Sequence, residues 1–444
     1  MTETGLGLKE LSNNIGETFG RQIAAAVLGL VTTAIIARVY GPEGSGILAV
    51  ALLLPSMLST FLNLGIAPAN VYYLGSSQIT PRQLLVTNLL IFLPLVTLGL
   101  GIGAAVLAWK AKDFFPGIAP SVLWLALSAF PLALLNSFML SIFQGLQQFR
   151  PFNFIAIASP FVFLVIVIGL TIGRNQEIAL LVGAQIISQI IMMIITIRLL
   201  FTLPLGHANS KYKVESFLKK TLSYGWKAHL SNILAFVNYK ADIFIANLFL
   251  GPSAVGVYVI AVAMVEKLWL FSHAVSTVLL PRLSQLSSEE DKRRRLTPIV
   301  CRWVLVTTFF AALVLAAVGG YVISSIFGPD FDAALLPLWI LLPGIVLTSA
   351  SRILANDIAA RGRPDLNMYA SIVIVLVNVV GNLILIPTYG LPGAATATTI
   401  AYALDVVLRL IIYGRFSGNR WVDSIFPHSS DLRFLNLAFH RQPR

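Results

Sequence analysis

The run LSNILAFVNYKADIFIANLFLGP at 230–252 is long and apolar enough to cross a bilayer, yet it holds Lys240 and Asp242 near its middle. Each such charge costs about 2.5–3.5 kcal/mol at the bilayer centre on insertion scales, so a charge kept there marks a substrate or ion pathway by default. The next apolar run, AVAMVEKLWLFSHAV, adds Glu266 and His273 on one face, with Lys267 beside them. Glu17 and Arg21 stand four residues apart in the first run, an order that favours a salt bridge. Arg302 lies about a turn into a later run, and Arg352 about two turns inside the end of another, with Asn356 and Asp357 nearby.

Basic groups outnumber acidic ones in this set. A cleft lined by Arg21, Lys240, Lys267, Arg302 and Arg352 would therefore favour an anion. Glu17, Asp242, Glu266 and His273 are the candidates for charge pairing or ion coupling. A plainer reading stands beside this one. Arg21 and Arg302 are near enough to the membrane edge to snorkel, and Glu17–Arg21 could be only an interfacial pair. Lys240 and Asp242 do not pair with each other, because residues two apart on a helix face different ways. On a helical wheel His229, Asn232, Phe236, Lys240 and Asn247 share one side, and Ser231, Asn238 and Asp242 the other. The preferred arrangement points Lys240 at the cleft and Asp242 at a neighbouring helix.

The elements that must hold these charges are membrane helices. Of the 444 residues 57% are hydrophobic and 11% charged, against roughly 25% charged in soluble chains. Turn signals divide the chain into twelve apolar runs of spanning length: about 17–39, 47–74, 84–109, 120–143, 154–172, 178–201, 227–250, 254–280, 298–326, 335–360, 368–387 and 391–413. The first run is too long for the core of a cleavable signal peptide and lacks a small-residue cleavage site. Cys301 is the sole cysteine, so no intrachain disulfide forms. The five histidines show no metal-ligand spacing, and neither metal nor cofactor is expected. GLGIGA at 99–104 sits inside a spanning run with no strand before it, so it reads as helix packing by small residues rather than as a dinucleotide site.

The net charge of +12 is distributed as a topology signal, not as a nucleic-acid surface. With the N-terminus in the cytoplasm, the outward connections hold only Arg38, Lys110, Lys112 and Arg174, and Lys240 and Lys267 lie within spans. The other 25 of the 31 lysines and arginines face inward, which places both termini in the cytoplasm.

Two matching loops suggest a duplication. GPEGSG at 41–46 and GPSAVG at 251–256 follow the first helix of each half, 210 residues apart, and FRPFN at 149–153 and GRPDLN at 362–367 follow each fourth helix. The expected organisation is a six-helix lobe at 1–201, a cytoplasmic linker at 202–226, a second six-helix lobe at 227–413 and a cytoplasmic tail at 414–444. In the linker Val214, Phe217, Leu218 and Leu222 recur at helical spacing between lysines, the pattern of a helix on the membrane surface. Pro55, Pro94, Pro131, Pro160 and Pro343 interrupt spans, either as simple curvature or as bends that let two bundles rock about a central site. The fold class is thus an all-α polytopic membrane protein, its two pseudo-symmetric lobes set around a central cavity.

The segments ARVYGPEGSGILAVALLLPSMLSTFLNLGIAPANVYYLG at 37–75 and KADIFIANLFLGPSAVGVYVIAVAMVEKLWLFSHAVSTVLLPRLSQL at 240–286 resemble the polysaccharide-transporter branch of the MOP superfamily, the oligosaccharide-lipid flippases. The second carries that family's order of features: Lys240 and Asp242, then Gly251, Pro252, Gly256 and Tyr258, then Pro281 and Arg282. The resemblance covers about residues 10–415. It implies a two-lobed transporter in the cytoplasmic membrane of a bacterium, carrying a polyprenyl-pyrophosphate-linked oligosaccharide outward by alternating access. Its partners would be that lipid, the surrounding membrane lipids and the polysaccharide polymerase or assembly proteins downstream. Two other functions compete: a cation-coupled multidrug or metabolite antiporter of the same superfamily, and a membrane glycosyltransferase or polymerase. The basic balance of the buried charge weighs against the first, and outward connections of about ten residues or fewer weigh against the second.

Overall fold

The computed structural model describes residues 3–426, apart from Ser77, Asn175, 204–213, Ser287 and Ser288, with side chains given from Gly20 onward save Arg21 and a few between 214 and 285. No strand occurs among the described residues. The α-helices are α1 Glu3–Ala51, α2 Leu53–Leu62, α3 Ile66–Gly75, α4 Pro81–Phe114, α5 Pro120–Leu127, α6 Ala129–Gly145, α7 Phe149–Ile172 and α8 Ile178–Phe201. They continue with α9 Val214–Glu266, α10 Trp269–Gln285, α11 Glu290–Val322, α12 Leu335–Ala360, α13 Pro364–Tyr389, α14 Leu391–Ser417 and α15 Trp421–Ile425.

Ten helical stretches among the described residues are long and apolar enough to cross a membrane, against the twelve runs read from the sequence. The difference has a local cause. At Gly41 (φ 66°, ψ −170°) and Gly251 (φ 79°, ψ 177°) the backbone leaves helical geometry for one residue, and Pro42 or Pro252 starts a new helix at once. Each break divides one long apolar stretch, Gln22–Leu62 or His229–Glu266, between two of the expected spans. Glycine adopts this positive φ without steric cost, and proline at a helix start gives up no needed hydrogen bond. The remainders of the second and eighth runs form α3 and α10, set off by the turns around Gly65 and Lys267–Leu268.

Contacts group the chain into two compact units, Met1–Ile260 with Ile323–Ala334, and Ala261–Val322 with Leu335–Arg444. In the first unit α6 packs against α2, α3, α4 and α8, and α1 lies along α7. Its core includes Met139, Ile142, Phe143 and Met192, with Asn70 donating to Asn88 (3.2 Å) and Ser141 (2.9 Å) across three helices. The start of α4 is fixed by a capping box in which Thr80 and Gln83 satisfy each other's backbone amides. The helical half of the linker runs from Val214 straight into the seventh span as part of α9.

In the second unit α14 packs between α12 and α13. Its buried face, Ala394, Ala395, Ala397 and Ala401, is small enough for close helix approach, as suits helices that gain little from the hydrophobic effect in lipid. Outside the packed faces, large apolar side chains such as Leu93, Val314, Leu376 and Ile384 are exposed, as a lipid solvent requires.

Candidate functional site

Within the first unit Lys240 projects from α9 into a cavity of about 170 Å³ walled by Leu53, Met57, Phe61, Phe115, Phe236 and Phe244. The side of the wheel that carries Lys240 and Phe236 thus faces α2, and Phe61 meets Phe236 edge-on at 6.1 Å. Among the described residues no carboxylate or hydrogen-bond acceptor pairs with the Lys240 ammonium. An ammonium in such a wall is expensive, and an anion entering the cavity would relieve it.

Asp242 points elsewhere. It is 4% exposed and accepts hydrogen bonds from the Tyr258 hydroxyl and the Ile243 amide, both at 2.8 Å. Tyr258 itself is fully buried, sixteen residues on and beyond the Gly251 break. Asn247, on the Lys240 side, donates to the Pro116 carbonyl at 3.4 Å.

The second unit gathers a different set. Arg352 on α12 lies over the Trp269 ring, 5.3 Å from its centre, and its charge acts on His273 one turn further along α10. Trp269 in turn meets Tyr402 at 5.8 Å. Glu266 is half-buried at the last turn of α9, and Lys267 is exposed at the break before α10. Arg302 stands apart from them: it is 5% exposed and donates to the Asp423 backbone carbonyl of α15. The side chains of Glu17 and Arg21 lie outside the described residues.

Sequence reasoning passed over the aromatic partners, Phe61, Phe115 and Phe244 around Lys240 and Trp269 beneath Arg352. Aromatics in a lipid-facing chain give no periodic signal that separates a cavity wall from a bilayer contact. It also passed over a charge clasp at one end of the second unit. Buried Asp357 accepts from Arg361 and from Thr297 (2.6 Å), with Arg293 at 3.9 Å, and Arg361 reaches Glu290 at 2.8 Å. Burial disfavours the Arg361 charge, but the bonds to Asp357 and Glu290 outweigh it and hold its pKa above the ordinary arginine value. The four-residue spacing of Asp357 and Arg361 was the available signal.

Residues 11–287 match the family described as polysaccharide biosynthesis protein. The probable low-salt glycan biosynthesis flippase Agl15 of Haloferax volcanii is 29% identical over 213 residues, 46% of this chain. That match spans 44% of the relative, less than half its length. Among solved structures, the lipid II flippase MurJ in an inward closed conformation superposes with a TM-score of 0.72 at 17% identity, over 96% of this chain and 94% of that one. An inward-facing multidrug-resistance MATE transporter of the MOP superfamily gives 0.66 at 15% identity, over 88% and 94%. The two structures share their fold with this multi-pass membrane protein, and the fold does not choose between them. The family match covers more than half of the sequence, including both Gly-Pro breaks and the Lys240–Asp242 pair, and the chain belongs to the polysaccharide biosynthesis protein family.

Proposed function

We propose that the chain is a flippase that carries a polyprenyl-pyrophosphate-linked oligosaccharide from the cytoplasmic to the outer leaflet, for surface polysaccharide biosynthesis. The observation that carries this reading is the Lys240 ammonium, set in an aromatic-walled cavity and lacking a partner among the described residues. A pyrophosphate diester cannot cross hydrocarbon alone. A lysine or arginine can hold it by charge-assisted hydrogen bonds while apolar walls meet its lipid and sugar faces. Arg352, stacked on Trp269, offers a second cation in its own unit.

In this reading both termini face the cytoplasm of a bacterial cell, the two halves alternate access, and Arg21 and Lys267 are further candidates for the cationic lining, while Arg302, bonded to the Asp423 carbonyl, is assigned to holding the tail. Coupling to an ion gradient is assigned to Asp242 or Glu266, and His273 and Glu17 are reserve titrating groups. Transport that keeps its gradient dependence in a D242N/E266Q double variant would reject that assignment. The named flippase Agl15 lends support by homology, and the MurJ likeness supports the architecture. An antiporter for cations would be better served by an acidic cavity. The reading also assigns no catalysis, and the product would pass to polymerase or assembly proteins.

The test is deletion of the gene in its host, with mass spectrometry of lipid-linked oligosaccharides and surface polymer, and a leaflet-specific probe. Carrier-linked units that accumulate on the cytoplasmic side with loss of polymer are expected. Unchanged lipids and polymer in a host without a second homologue would reject the proposal and favour the antiporter.

A further inference from the structure

The two Gly-Pro breaks do more than mark a duplication: they touch each other. A Cβ added to Gly46 would overlap the carbonyl oxygen of Pro252, and one added to Gly256 would overlap that of Pro42. Each glycine thus seats the other motif's proline carbonyl, a reciprocal contact made by residues 210 apart. Both segments belong to the first unit. More contacts lie at the same helix ends. Gly117 abuts the Pro252 ring, Asn247 reaches the Pro116 carbonyl, and Phe115 meets Phe244 at 6.0 Å. Three residues before the first break, exposed Arg38 donates from Nε to the Ile326 carbonyl at 2.9 Å and from Nη2 to that of Ser325. Those carbonyls close the short turn of helix at Ile323–Phe327, where the last carbonyls lack helical partners and a cation is the favoured cap.

We propose that these contacts form a releasable seal: Gly46 and Gly256 hold the two breaks face to face, and Arg38 ties the Ile323–Phe327 turn to the same end of α1. Residues from the first 120 positions meet residues beyond 240 here, on the side that the charge distribution makes outward. The contact suits parting as well as closing. Each proline carbonyl lies four residues before the glycine amide that helix geometry pairs with it, so separation orphans no backbone group. Between glycine surfaces only weak C–H to carbonyl attractions are lost. The strong, polar part of the seal is concentrated in Arg38, and the missing Cβ atoms permit the approach. This role in transport rests on the flippase reading; the closure itself can be tested without cargo.

Ser45 reports on the seal, being 7% exposed and set within the first break. In a C301S background, S45C would be labelled with a membrane-impermeant thiol reagent, in intact cells and in inside-out vesicles. The parent is expected to label slowly from both sides. R38Q should raise the rate about tenfold from one side, because both charge-assisted bonds leave the closed state and the amide can replace one of them only with an uncharged donor. G46A and G256A should raise it further. K110Q, at an exposed ion pair with Asp113, should change nothing. Labelling of R38Q and G256A at the parent's rate from both sides would overturn the proposal. Should the glycine variants fail to fold, R38Q alone decides, because the Arg38 side chain is exposed and among the described residues bonds only to the two carbonyls. Raised labelling together with unchanged lipid-linked units and surface polymer on deletion of the gene would uphold the seal while removing the flippase reading.

Discussion

Tyr258 donates its hydroxyl proton to Asp242 at 2.8 Å, joining the two sides of the Gly251–Pro252 break by a bond between fully enclosed side chains. The Ile243 amide occupies the other carboxylate oxygen at the same distance. A carboxylate at this depth survives only with such donors. Tyr258→Phe removes one of them and should cost about 2 kcal/mol, the usual worth of a hydrogen bond to a charged group. Asp242→Asn should cost less than Asp242→Leu, since an amide oxygen still accepts from the phenol. Thermal unfolding of the purified protein in detergent orders the three variants. A silent Y258F would show that the bond contributes nothing to holding the break.

Lys240 presents the opposite balance. Its ammonium opens into an aromatic cavity, a position that costs stability whenever it is empty. Lys240→Met should therefore raise the unfolding temperature while reducing transport of lipid-linked oligosaccharide roughly 30- to 100-fold, the worth of a charge-assisted bond to phosphate. Lys240→Arg should keep part of the activity. Opposed changes in stability and transport identify a residue retained for binding rather than folding. A K240M variant that transports normally would remove Lys240 from the site.

Much of this was legible in the sequence, for physical reasons that also mark where legibility stops. A bilayer admits few structures, so apolar runs named the helices, and the cost of charge in lipid singled out Lys240 and Asp242. The wheel separated the two charges because helical phase depends only on spacing, and the structure sends them to different neighbours. The number of spans was less legible: the sequence places boundaries at 39–47 and 250–254, where Gly41 and Gly251 break the helix, but the further turns at Gly65 and Lys267–Leu268 lie inside apolar runs that read as unbroken. Arg302 was unreadable in another way. Its partner is a backbone carbonyl of the tail, and every residue type supplies one.

The clasp around Asp357 should be the most sensitive charged cluster in the second unit. Asp357 is fully buried and bound by Arg361 and Thr297, with Arg293 close by. Asp357→Ala leaves two enclosed guanidiniums short of their counter-charge and should cost about 3–5 kcal/mol. Replacing both partners, as D357L/R361M, should cost less than the single change, because the pair is removed rather than broken. Unfolding temperatures and membrane expression levels measure both. Equal losses in the single and double variants would argue that packing, not charge, holds α11 and α12 there.

Arg302 separates two roles that the sequence could not. As a lining cation it would hold cargo; as placed, it donates to the Asp423 carbonyl near the end of α15. That carbonyl belongs to the last turn of a short helix, so it has no helical partner and gains from a cation. Asn419 adds a bond to the Arg294 carbonyl at 2.8 Å and another to the Tyr413 hydroxyl at the same distance, so the tail is fixed at several points. Removing Arg302 should loosen the segment 418–426 without unfolding the unit. Arg302→Gln is expected to raise tryptic cleavage at exposed Arg420 about tenfold, the loss of one charge-assisted bond, while transport stays within about twofold of the parent. Transport that falls while Arg420 remains protected would return Arg302 to the cargo path. A fall in both would make the docked tail itself a requirement of the transport cycle.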